Sequence, residues 1–235
     1  MEEIDSTNEE ARRLSSEGGS EGTVVIAGSQ VKGRGRFRRR WVSPPGGIYL
    51  SIILKPYVNS SKLPLITYIS SLAGIRTIRG LTKLGASLKW PNDIVISGKK
   101  AGGILCETVK RTIVAGIGIN LNTNLSLFPK TLKKQVTSVR FELGAQIDQD
   151  KFIKILLEEF DKLYRSFLLR KYNEIITEWS GLCETLGREI KIETARGHVK
   201  GIAESIGSEG ELNLRSSDGK IKKVHSGNVI KVEYL

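Results

Sequence analysis

The fold is decided by residues 87–120, which read SLKWPNDIVISGKKAGGILCETVKRTIVAGIGIN. Pro91 ends a short strand at residues 88–90, because proline cannot donate to a strand ladder. Runs of apolar and β-branched residues predict three further strands, at residues 93–96, 103–109 and 112–120. We therefore expect this stretch to form a meander of antiparallel strands.

Apolar spacing predicts the elements on either side of this meander. Strands are predicted at residues 23–27 and 48–54, helices at 6–15, 63–81, 152–169 and 172–186, and polar loops at 28–47 and 121–137. The first helix has Ser6 or Thr7 as its cap, with two glutamates in its first turn. The chain thus combines helices with an antiparallel meander.

The sequence pattern changes at Gly187, where short predicted strands separated by glycine-containing turns begin. Ser-Asp-Gly-Lys at residues 217–220 predicts a hairpin. Five short strands are predicted, at residues 189–194, 199–206, 211–215, 221–224 and 229–234. We expect them to form a small β-barrel. This places a domain boundary near residue 186, with a catalytic domain at 1–186 and the barrel at 187–235.

Composition predicts a globular protein, because 39% of the 235 residues are hydrophobic and 26% are charged. No apolar run approaches the roughly 20 residues that a membrane helix needs. The start, Met-Glu-Glu-Ile-Asp, is acidic and has no signal-peptide core. We therefore expect a cytoplasmic protein that is not embedded in a membrane.

The net charge is +12, and part of the excess is concentrated in one segment. Six cations fall within nine residues: Lys32, Arg34, Arg36, Arg38, Arg39 and Arg40. One interpretation is a charge-rich surface of a heat-adapted protein. The other, which we favour, is an anionic ligand or partner.

The cysteines and histidines exclude several kinds of site. Cys106 and Cys183 lie too far apart in sequence for a zinc motif. Two reduced thiols are expected in a cytoplasm, and a disulfide remains open for a hyperthermophile. His198 and His225 both fall in the last 40 residues and support neither a Ser-His-Asp triad nor a metal site.

Residues 33–41, Gly-Arg-Gly-Arg-Phe-Arg-Arg-Arg-Trp, follow a predicted strand, as phosphate-binding loops do. The segment is neither a Walker A loop nor a dinucleotide motif. Ordering about ten loop residues costs on the order of 10 kcal/mol, whereas one hydrogen bond to a charged group returns roughly 1.5–3 kcal/mol. We therefore predict a loop that is mobile when empty and closes on an anionic ligand. The alternative is a solvated basic loop that binds RNA or nothing.

Lys89, at the first strand of the meander, is a candidate for binding an anionic group. Period 2 places Lys89 opposite Leu88 and Trp90, so the lysine faces a cleft while its neighbours enter the core. A lysine held beside a proline suits neutralisation of charge in a transition state at phosphorus. The alternative is an ordinary lysine at a strand end.

The same alternation applies to residues 116–120. Ile117 and Ile119 face the core, whereas Gly116, Gly118 and Asn120 face the other side. Two glycines on one face leave a flat floor for a planar ligand, and the Asn120 amide suits an adenine edge. The alternative is a crowded sheet crossing.

Taken together and in order, these motifs resemble those of biotin protein ligases. The matching segments are Ser6-Thr7-Asn8, Gln30 with Gly33-Arg34-Gly35-Arg36, then Trp41, Ser43, Pro44, Gly46 and Leu50-Ser51, Lys89-Trp90-Pro91-Asn92-Asp93, Lys100-Ala101-Gly102-Gly103-Ile104-Leu105, Gly116-Ile117-Gly118-Ile119-Asn120, and Thr137-Ser138. The resemblance runs from residue 6 to about 120 and extends to the C-terminal module. The paired Gly-Arg-Gly-Arg and Lys-Trp-Pro-Asn-Asp signatures are specific.

The resemblance implies an α+β fold: a mixed β-sheet flanked by helices, like that of class II aminoacyl-tRNA synthetases, followed by a small β-barrel. It implies a ligase that makes biotinyl-5′-adenylate from biotin and ATP with Mg²⁺. The biotinyl group then passes to one lysine of a biotin carboxyl carrier protein, an acidic partner. A homodimer is also implied. Only five residues precede Ser6, so we expect no DNA-binding domain and no repressor activity.

The resemblance also implies roles for individual residues. Lys89, Arg34 and Arg36 are the expected catalytic residues. The expected biotin-binding residues are Ser6, Thr7, Asn8, Gln30, Gly33, Arg34, Gly35, Arg36, Lys89, Gly103, Gly116 and Gly118. The expected ATP- and adenylate-binding residues are Arg36, Arg39, Trp41, Lys89, Asn92 and Asn120. No Mg²⁺ ligand is assigned, although Asp93 is a candidate or a structural turn residue.

Two other functions are weighed against this interpretation. A lipoate or octanoate ligase of the same fold is the nearer one, and the paired signatures argue against it. A basic RNA-binding protein is the other, and it predicts salt-dependent RNA affinity without pyrophosphate release. Phe37, Arg38 and Cys106 depart from the residues that relatives often carry.

Overall fold

The computed structural model describes residues 2–195 and 197–233 of the chain. The helices are α1 (Thr7–Ser16), α2 (Leu65–Thr82), α3 (Val139–Leu143), α4 (Gln149–Leu168) and α5 (Tyr172–Leu182). The strands are β1 (Glu3–Ile4), β2 (Val24–Ala27), β3 (Ser29–Gln30), β4 (Ile48–Leu54), β5 (Ser87–Lys89), β6 (Asp93–Ile96), β7 (Lys99–Val109), β8 (Thr112–Ile119), β9 (Glu189–Thr194), β10 (Gly197–Ile206), β11 (Leu212–Arg215), β12 (Ile221–Val224) and β13 (Asn228–Glu233). None of the helices in the described ranges is long and apolar enough to cross a membrane.

A six-stranded sheet in the order β2-β4-β8-β7-β6-β5 forms the centre of the molecule. Its neighbouring strands pair antiparallel, which confirms the predicted meander from β5 to β8. In the described residues, parallel pairing occurs between β1 and β3 and at two isolated bridges, Leu88 with Cys183 and Lys100 with Val136. The α+β class with mixed pairing is therefore confirmed.

Strand β4 is buried along its whole length. The reason is that helices cover both faces of the sheet at this point. Ile53 packs with Ala11 of α1 and Val114 on one face, whereas Leu50 and Ile52 belong to the larger core beneath α2. Strands covered on both faces become continuously apolar, as β4 is.

Helix α2 lies in that larger core, and helices α4 and α5 pack against it. Tyr68 of α2 stacks on Trp179 of α5 with ring centroids 4.1 Å apart. Such a pair contributes about 0.5–1.5 kcal/mol beyond its buried area. Helix α5 ends at Leu182, earlier than predicted, because Cys183 bridges to Leu88 and the Glu184 amide donates to the Leu88 carbonyl at 2.9 Å.

The C-terminal strands form one antiparallel sheet in the order β12-β11-β10-β9-β13. The five predicted strands are present, but the described residues show no pairing of β12 with β13, so the barrel is not closed. Residues Ile190, Ile192 and Leu214 of this sheet belong to the same apolar cluster as the central sheet. The sheet therefore buries its apolar face against the rest of the molecule and does not need closure.

Helix α3 is an element that the sequence pattern did not predict. Ser138 begins it by accepting a hydrogen bond from the Phe141 amide at 3.3 Å, and Gly144 ends it in the left-handed conformation. The helix has only five residues, too few to show a helical period. It closes the loop at residues 121–137, which contains a short 3-10 turn at Leu125–Leu127.

Candidate active site

One cavity of about 650 Å³ lies against strands β7 and β8 of the central sheet and collects nearly all of the predicted site residues. Those that line it are Ser6, Thr7, Asn8, Gln30, Arg34, Gly35, Arg36, Arg39, Trp41, Lys89, Asn92, Gly103, Gly116, Gly118 and Asn120. Gly33 is the exception and lies outside this lining. A cavity of this size is typical of small-molecule and cofactor sites.

The Ser-Thr-Asn motif begins helix α1 beside the cavity. Ser6 is the N-cap residue, but its side chain makes no capping hydrogen bond. Instead Gln30 of β3 supplies the acceptor: its Oε1 receives the Thr7 amide at 2.8 Å and the Thr7 hydroxyl at 3.2 Å. The Gln30 amide nitrogen then donates to Ser43 Oγ at 2.8 Å. Gln30 therefore joins the helix start to the segment after the arginines.

Asn8 is buried, and both the nitrogen and the oxygen of its side-chain amide form hydrogen bonds. Its Nδ2 donates to Leu105 O at 3.1 Å and to Glu107 Oε2 at 2.9 Å, and its Oδ1 accepts from Ser51 Oγ at 2.6 Å. These bonds tie α1 to strands β4 and β7 and fix the amide in the cavity wall. A buried network whose members are bonded in this way is rigid.

The two glycines of β8 leave space for side chains of the cavity wall. A Cβ at Gly116 would overlap Asn8 Oδ1, and one at Gly118 would lie 2.8 Å from Trp41 Nε1. Ile117 and Ile119 face the core, as period 2 predicted. The glycine face is thus not a bare floor: Asn8 and Trp41 lie directly against it.

Residues 33–41 form a hairpin, which we call the arginine hairpin, rather than an irregular loop. Arg34 and Arg40 pair as an antiparallel bridge, the Gly35 amide donates to Arg39 O at 2.8 Å, and the Trp41 amide donates to Gly33 O at 2.9 Å. A side chain at Gly33 would collide with Trp41 O, which explains that glycine.

The tip of the arginine hairpin is strained. Phe37 and Arg38 have φ of 55° and 59°, the left-handed region that disfavours side chains. Each such residue costs roughly 1–2 kcal/mol. The Arg39 amide donates to Arg36 O at 3.1 Å across this tight turn. Backbone strain of this kind concentrates at functional segments.

The first two arginines of the hairpin have different partners. Arg34 forms ion pairs with Glu9 and, at 3.0 Å, with Glu107. Arg36 donates to Asn92 Oδ1 at 3.3 Å, to Gly227 O at 3.2 Å and to Ser226 Oγ at 2.9 Å. The hairpin is therefore held by α1 and β7 on one side and by the C-terminal sheet on the other.

Arg36 is half-buried and makes no ion pair in the described part of the chain. Burial lowers the pKa of its guanidinium, the charge of Asp93 opposes this, and that of Arg39 adds to it. An arginine keeps its proton despite such a shift. A half-buried cation bonded only to neutral groups favours an anionic ligand, which would compensate its charge.

Two lysines line the same cavity, and only one of them forms an ion pair in the described residues. Lys89 has no carboxylate within ion-pairing distance in residues 2–195 and 197–233, whereas Lys100 Nζ lies 2.6 Å from Asp93 Oδ1 and 5.2 Å from the Trp41 ring centroid. Leu88 is buried beside Lys89, as the strand alternation predicted. Lys89 is thus available to an anionic ligand, and Lys100 is held in the same cavity by Asp93 and Trp41.

Sequence reasoning assigned no role to Lys100, which only the cavity lining identifies. It also missed Lys134 and Val136 from the loop at 121–137, and Asn228 and Val229 from β13. Proximity in sequence to the Gly-Gly pair at 102–103 was the one available signal for Lys100. The β13 residues carried none, because they lie more than 90 residues from every other part of the site.

Asn120 directly follows β8, and only the nitrogen of its side-chain amide has a hydrogen-bond partner in the described residues. Its Nδ2 donates to Thr137 O at 3.0 Å, while its buried Oδ1 has no hydrogen-bond partner among the described residues. The indole nitrogen of Trp41 is likewise buried without a partner there. The cavity therefore presents a free acceptor and a free donor, the kind of pair that a heteroaromatic ring satisfies.

The residues present do not build a magnesium site of their own. No group of three potential ligands among His, Cys, Asp and Glu occurs in the described ranges, and the candidate Asp93 is bonded to Lys100. Mg²⁺ is usually held by one or two carboxylates together with substrate phosphates.

Both cysteines are free thiols, Cys106 within β7 and Cys183 after α5. Burial raises the pKa of Cys106 to about 11 and also raises that of Cys183. The reduced state predicted from the sequence matches this arrangement. Neither thiol is activated for chemistry.

Comparisons with known proteins agree on one family. Residues 1–124 match the profile of the Biotin/lipoate A/B protein ligase family, and residues 185–232 match that of the Biotin protein ligase C terminal domain. The bifunctional ligase/repressor BirA of Bacillus spizizenii is 36% identical over 96% of this chain and 71% of its own length. The biotin–acetyl-CoA-carboxylase ligase of Paracoccus denitrificans is 30% identical over 92% of this chain and 93% of its own.

Solved structures give the same result. The biotin protein ligase from Aquifex aeolicus in complex with biotin and ATP superposes with a TM-score of 0.87 at 30% identity, covering 97% of this chain and 95% of that one. An R40G mutant of the same protein in complex with biotin has a TM-score of 0.86. Fold, site and sequence thus lead to a single group of enzymes.

Proposed function

This chain belongs to the biotin/lipoate A/B protein ligase family, as a biotin protein ligase, and we propose that it activates biotin with ATP and transfers it to a lysine of a carrier protein. The observation that carries the proposal is the convergence of Arg36, Lys89 and Lys100 on one cavity whose wall is built from Asn8 and Trp41. The lining holds seven cationic side chains and one carboxylate, that of Asp93, and this balance fits a carboxylic acid and a polyphosphate.

In the first step a biotin carboxylate oxygen attacks the α-phosphorus of ATP. A new phosphorus–oxygen bond forms, the bond to the β-phosphate oxygen breaks, and pyrophosphate leaves with the electron pair. Lys89 and Arg36 are proposed to neutralise the charge that develops on the phosphoryl oxygens, because both are cations without a carboxylate partner within the described ranges.

In the second step the amine of an acceptor lysine attacks the acyl carbon of biotinyl-5′-adenylate. The carbon–oxygen bond breaks, AMP leaves, and the nitrogen loses a proton. The lysine must be neutral to attack, and its ordinary pKa is near 10.4. The cationic cavity disfavours an ammonium ion and so assists that loss of charge.

Binding roles follow from the same geometry. We propose that biotin occupies the side of the cavity bounded by Thr7, Asn8, Gln30, Gly103 and Gly116. Asn120 Oδ1 is proposed to accept from the exocyclic amine of adenine, because it is a buried acceptor without another partner in the described part of the chain. Mg²⁺ is proposed only as the companion of ATP.

The arginine hairpin is proposed to cover the adenylate, because a mixed anhydride hydrolyses when water reaches it. The amide hydrogens of residues 31–41 should exchange more slowly with biotin and ATP bound than in the empty protein. Equal protection in both states would contradict the covering role. A homodimer in the cytoplasm stays a prediction, and sedimentation analysis tests the dimer.

The decisive experiment is ATP–pyrophosphate exchange with biotin as the only added acid. Exchange that requires biotin, and that lipoate or octanoate does not support, is the expected result. Exchange with lipoate instead would transfer the assignment to the related acyl-carrier ligases. Salt-sensitive RNA binding without any exchange would favour the basic RNA-binding alternative.

A further inference from the structure

The proposed chemistry assigns no role to Phe37, Arg38 or Arg40 of the arginine hairpin. Phe37 at its tip is 57% exposed, an unusual position for a large aromatic side chain. Arg38 and Arg40 beside it are exposed as well. These three residues, which we call the hairpin tip, therefore present one apolar group and two guanidinium groups to the outside.

The conformation of the turn indicates that these side chains serve a purpose. A two-residue turn with positive φ at both positions is normally made by Asn-Gly or a similar pair, which adopt it without strain. Here Phe37 and Arg38 occupy it, with φ of 55° and 59°. Asparagine and glycine would make the same turn more easily, so folding alone does not account for a phenylalanine and an arginine.

The charges of the hairpin tip are not compensated within the described residues. Arg38 has no carboxylate within ion-pairing distance in those ranges, and Arg40 donates to a neutral group, Val31 O, at 3.3 Å. By contrast Lys32 is bound to Asp5 at 2.8 Å. The cations without a carboxylate partner in the described ranges are therefore Arg38 and Arg40, whereas Lys32 has one.

The surface around the hairpin tip combines charge with apolar area. Val31 is 46% exposed, and a shallow groove of about 380 Å³ runs between it and Arg38, Arg39 and Arg40. An exposed aromatic residue next to arginines is the composition enriched in protein–protein interfaces. A partner with carboxylates around an apolar side chain would complement it.

The hairpin tip also adjoins the cavity, because Phe37 and Arg40 line the cavity as well as the outer surface. The hairpin tip therefore lies at the edge of the cavity that an acceptor lysine would enter. We propose that Phe37, Arg38 and Arg40 form the docking surface for an acidic acceptor protein, with Phe37 as its apolar contact and the two arginines as partners of its carboxylates. This inference rests on the proposed function, since it names the surface that receives the acceptor.

The experiment separates docking from chemistry by changing the acceptor. Enzyme loaded with biotinyl-5′-adenylate is given either an isolated biotin carboxyl carrier domain or hydroxylamine, a small nucleophile that needs no docking surface. Arg38→Asn and Phe37→Asn are compared with wild type. Asparagine tolerates the left-handed conformation, so both variants keep the turn.

Arg170→Asn is the matched control. Arg170 is an exposed arginine with φ of 60°, located after α4 and away from the cavity lining. It makes the same chemical change in the same backbone conformation. Any general effect of losing a surface charge or of relaxing a strained residue therefore appears in this variant.

We expect the carrier rate divided by the hydroxylamine rate to fall about tenfold in Arg38→Asn and Phe37→Asn, and to stay at the wild-type value in Arg170→Asn. The carrier kcat/KM should also lose part of its salt dependence in Arg38→Asn. An unchanged ratio overturns the inference, as does an equal fall with both acceptors, which would place the residues in chemistry.

Failure of the proposed function is a separate outcome. It would appear as no biotin-dependent pyrophosphate exchange in the wild type. Direct binding of the carrier domain to the empty protein is measured in parallel. Binding that weakens in Arg38→Asn supports docking without reference to turnover, whereas binding of a single-stranded RNA in place of the carrier overturns it.

Discussion

The contact between Gly116 and Asn8 provides a quantitative test of the site. Alanine at position 116 places a Cβ that overlaps Asn8 Oδ1 and lies 2.9 Å from Asn8 Cγ. Strand β8 is central in the sheet, held by β4 and β7, so its backbone has little freedom to move away. The Asn8 amide must therefore give way.

The magnitude follows from the bonds that the amide makes. Displacement breaks its hydrogen bonds to Leu105 O and Ser51 Oγ, worth about 1 kcal/mol each, and the one to the Glu107 carboxylate, worth about 1.5–3 kcal/mol. Replacing glycine in a strand returns about 0.5–1 kcal/mol. The net loss in the free energy of unfolding is about 3 kcal/mol.

Urea unfolding followed by tryptophan fluorescence measures this loss, and thermal unfolding should shift down by about 6–12 °C. Gly80→Ala is the matched control, because Gly80 is exposed in helix α2 and a Cβ there meets nothing within 4 Å. The same substitution should stabilise the protein by about 1 kcal/mol there. Binding of biotin, measured by calorimetry, should weaken only in Gly116→Ala.

A double-mutant cycle identifies the cause. In an Asn8→Ala background the overlap is removed, so Gly116→Ala should become nearly neutral and the coupling energy should reach about 2–3 kcal/mol. The reasoning is refuted if Gly116→Ala changes stability by less than about 0.5 kcal/mol. It is also refuted if the loss is the same with and without Asn8.

Three further predictions concern the cations and the buried thiol. Lys89→Ala should fold normally yet form adenylate on the order of 10²-fold more slowly; pyrophosphate release at the wild-type rate would exclude its role. Arg36→Gly should release adenylate about 10- to 100-fold faster and biotinylate free amines, so labelling confined to the carrier lysine would count against it. Because burial raises the pKa of Cys106 from 9.0 to about 11, the folded protein keeps a proton that the unfolded chain loses. The free energy of unfolding should therefore fall from pH 9 to pH 11 more steeply in wild type than in Cys106→Ala. Urea unfolding at each pH measures it, and an equal fall in both proteins would contradict the raised pKa.

Much of the fold was predictable because its signals are local. Strand β4 was placed at its observed bounds from its own apolar residues, and α4 within a few residues from its apolar stripe. The opposite directions of Lys89 and Leu88 follow from strand geometry within two neighbouring residues. Helix α3, by contrast, is too short to show a period.

The open C-terminal sheet and the path of the arginine hairpin were not predictable in this way. Closure of a barrel depends on whether its apolar face has another surface to cover, and here the core of the central sheet continues into β9. Whether Arg36 meets solvent, phosphate or Ser226 depends on how a residue 190 positions away packs. No pattern within a short window contains that information.

The sequence by itself determined which side chains are available for the chemistry. It also determined which face of a strand each one occupies, because side-chain alternation is a property of neighbouring residues. Only the tertiary structure decided that Asn8 lies against Gly116, that Lys100 joins Lys89, and that the C-terminal sheet binds the arginine hairpin. The physical reason is that these contacts join segments separated by many residues. They arise from the burial of one shared core, which the whole chain forms together.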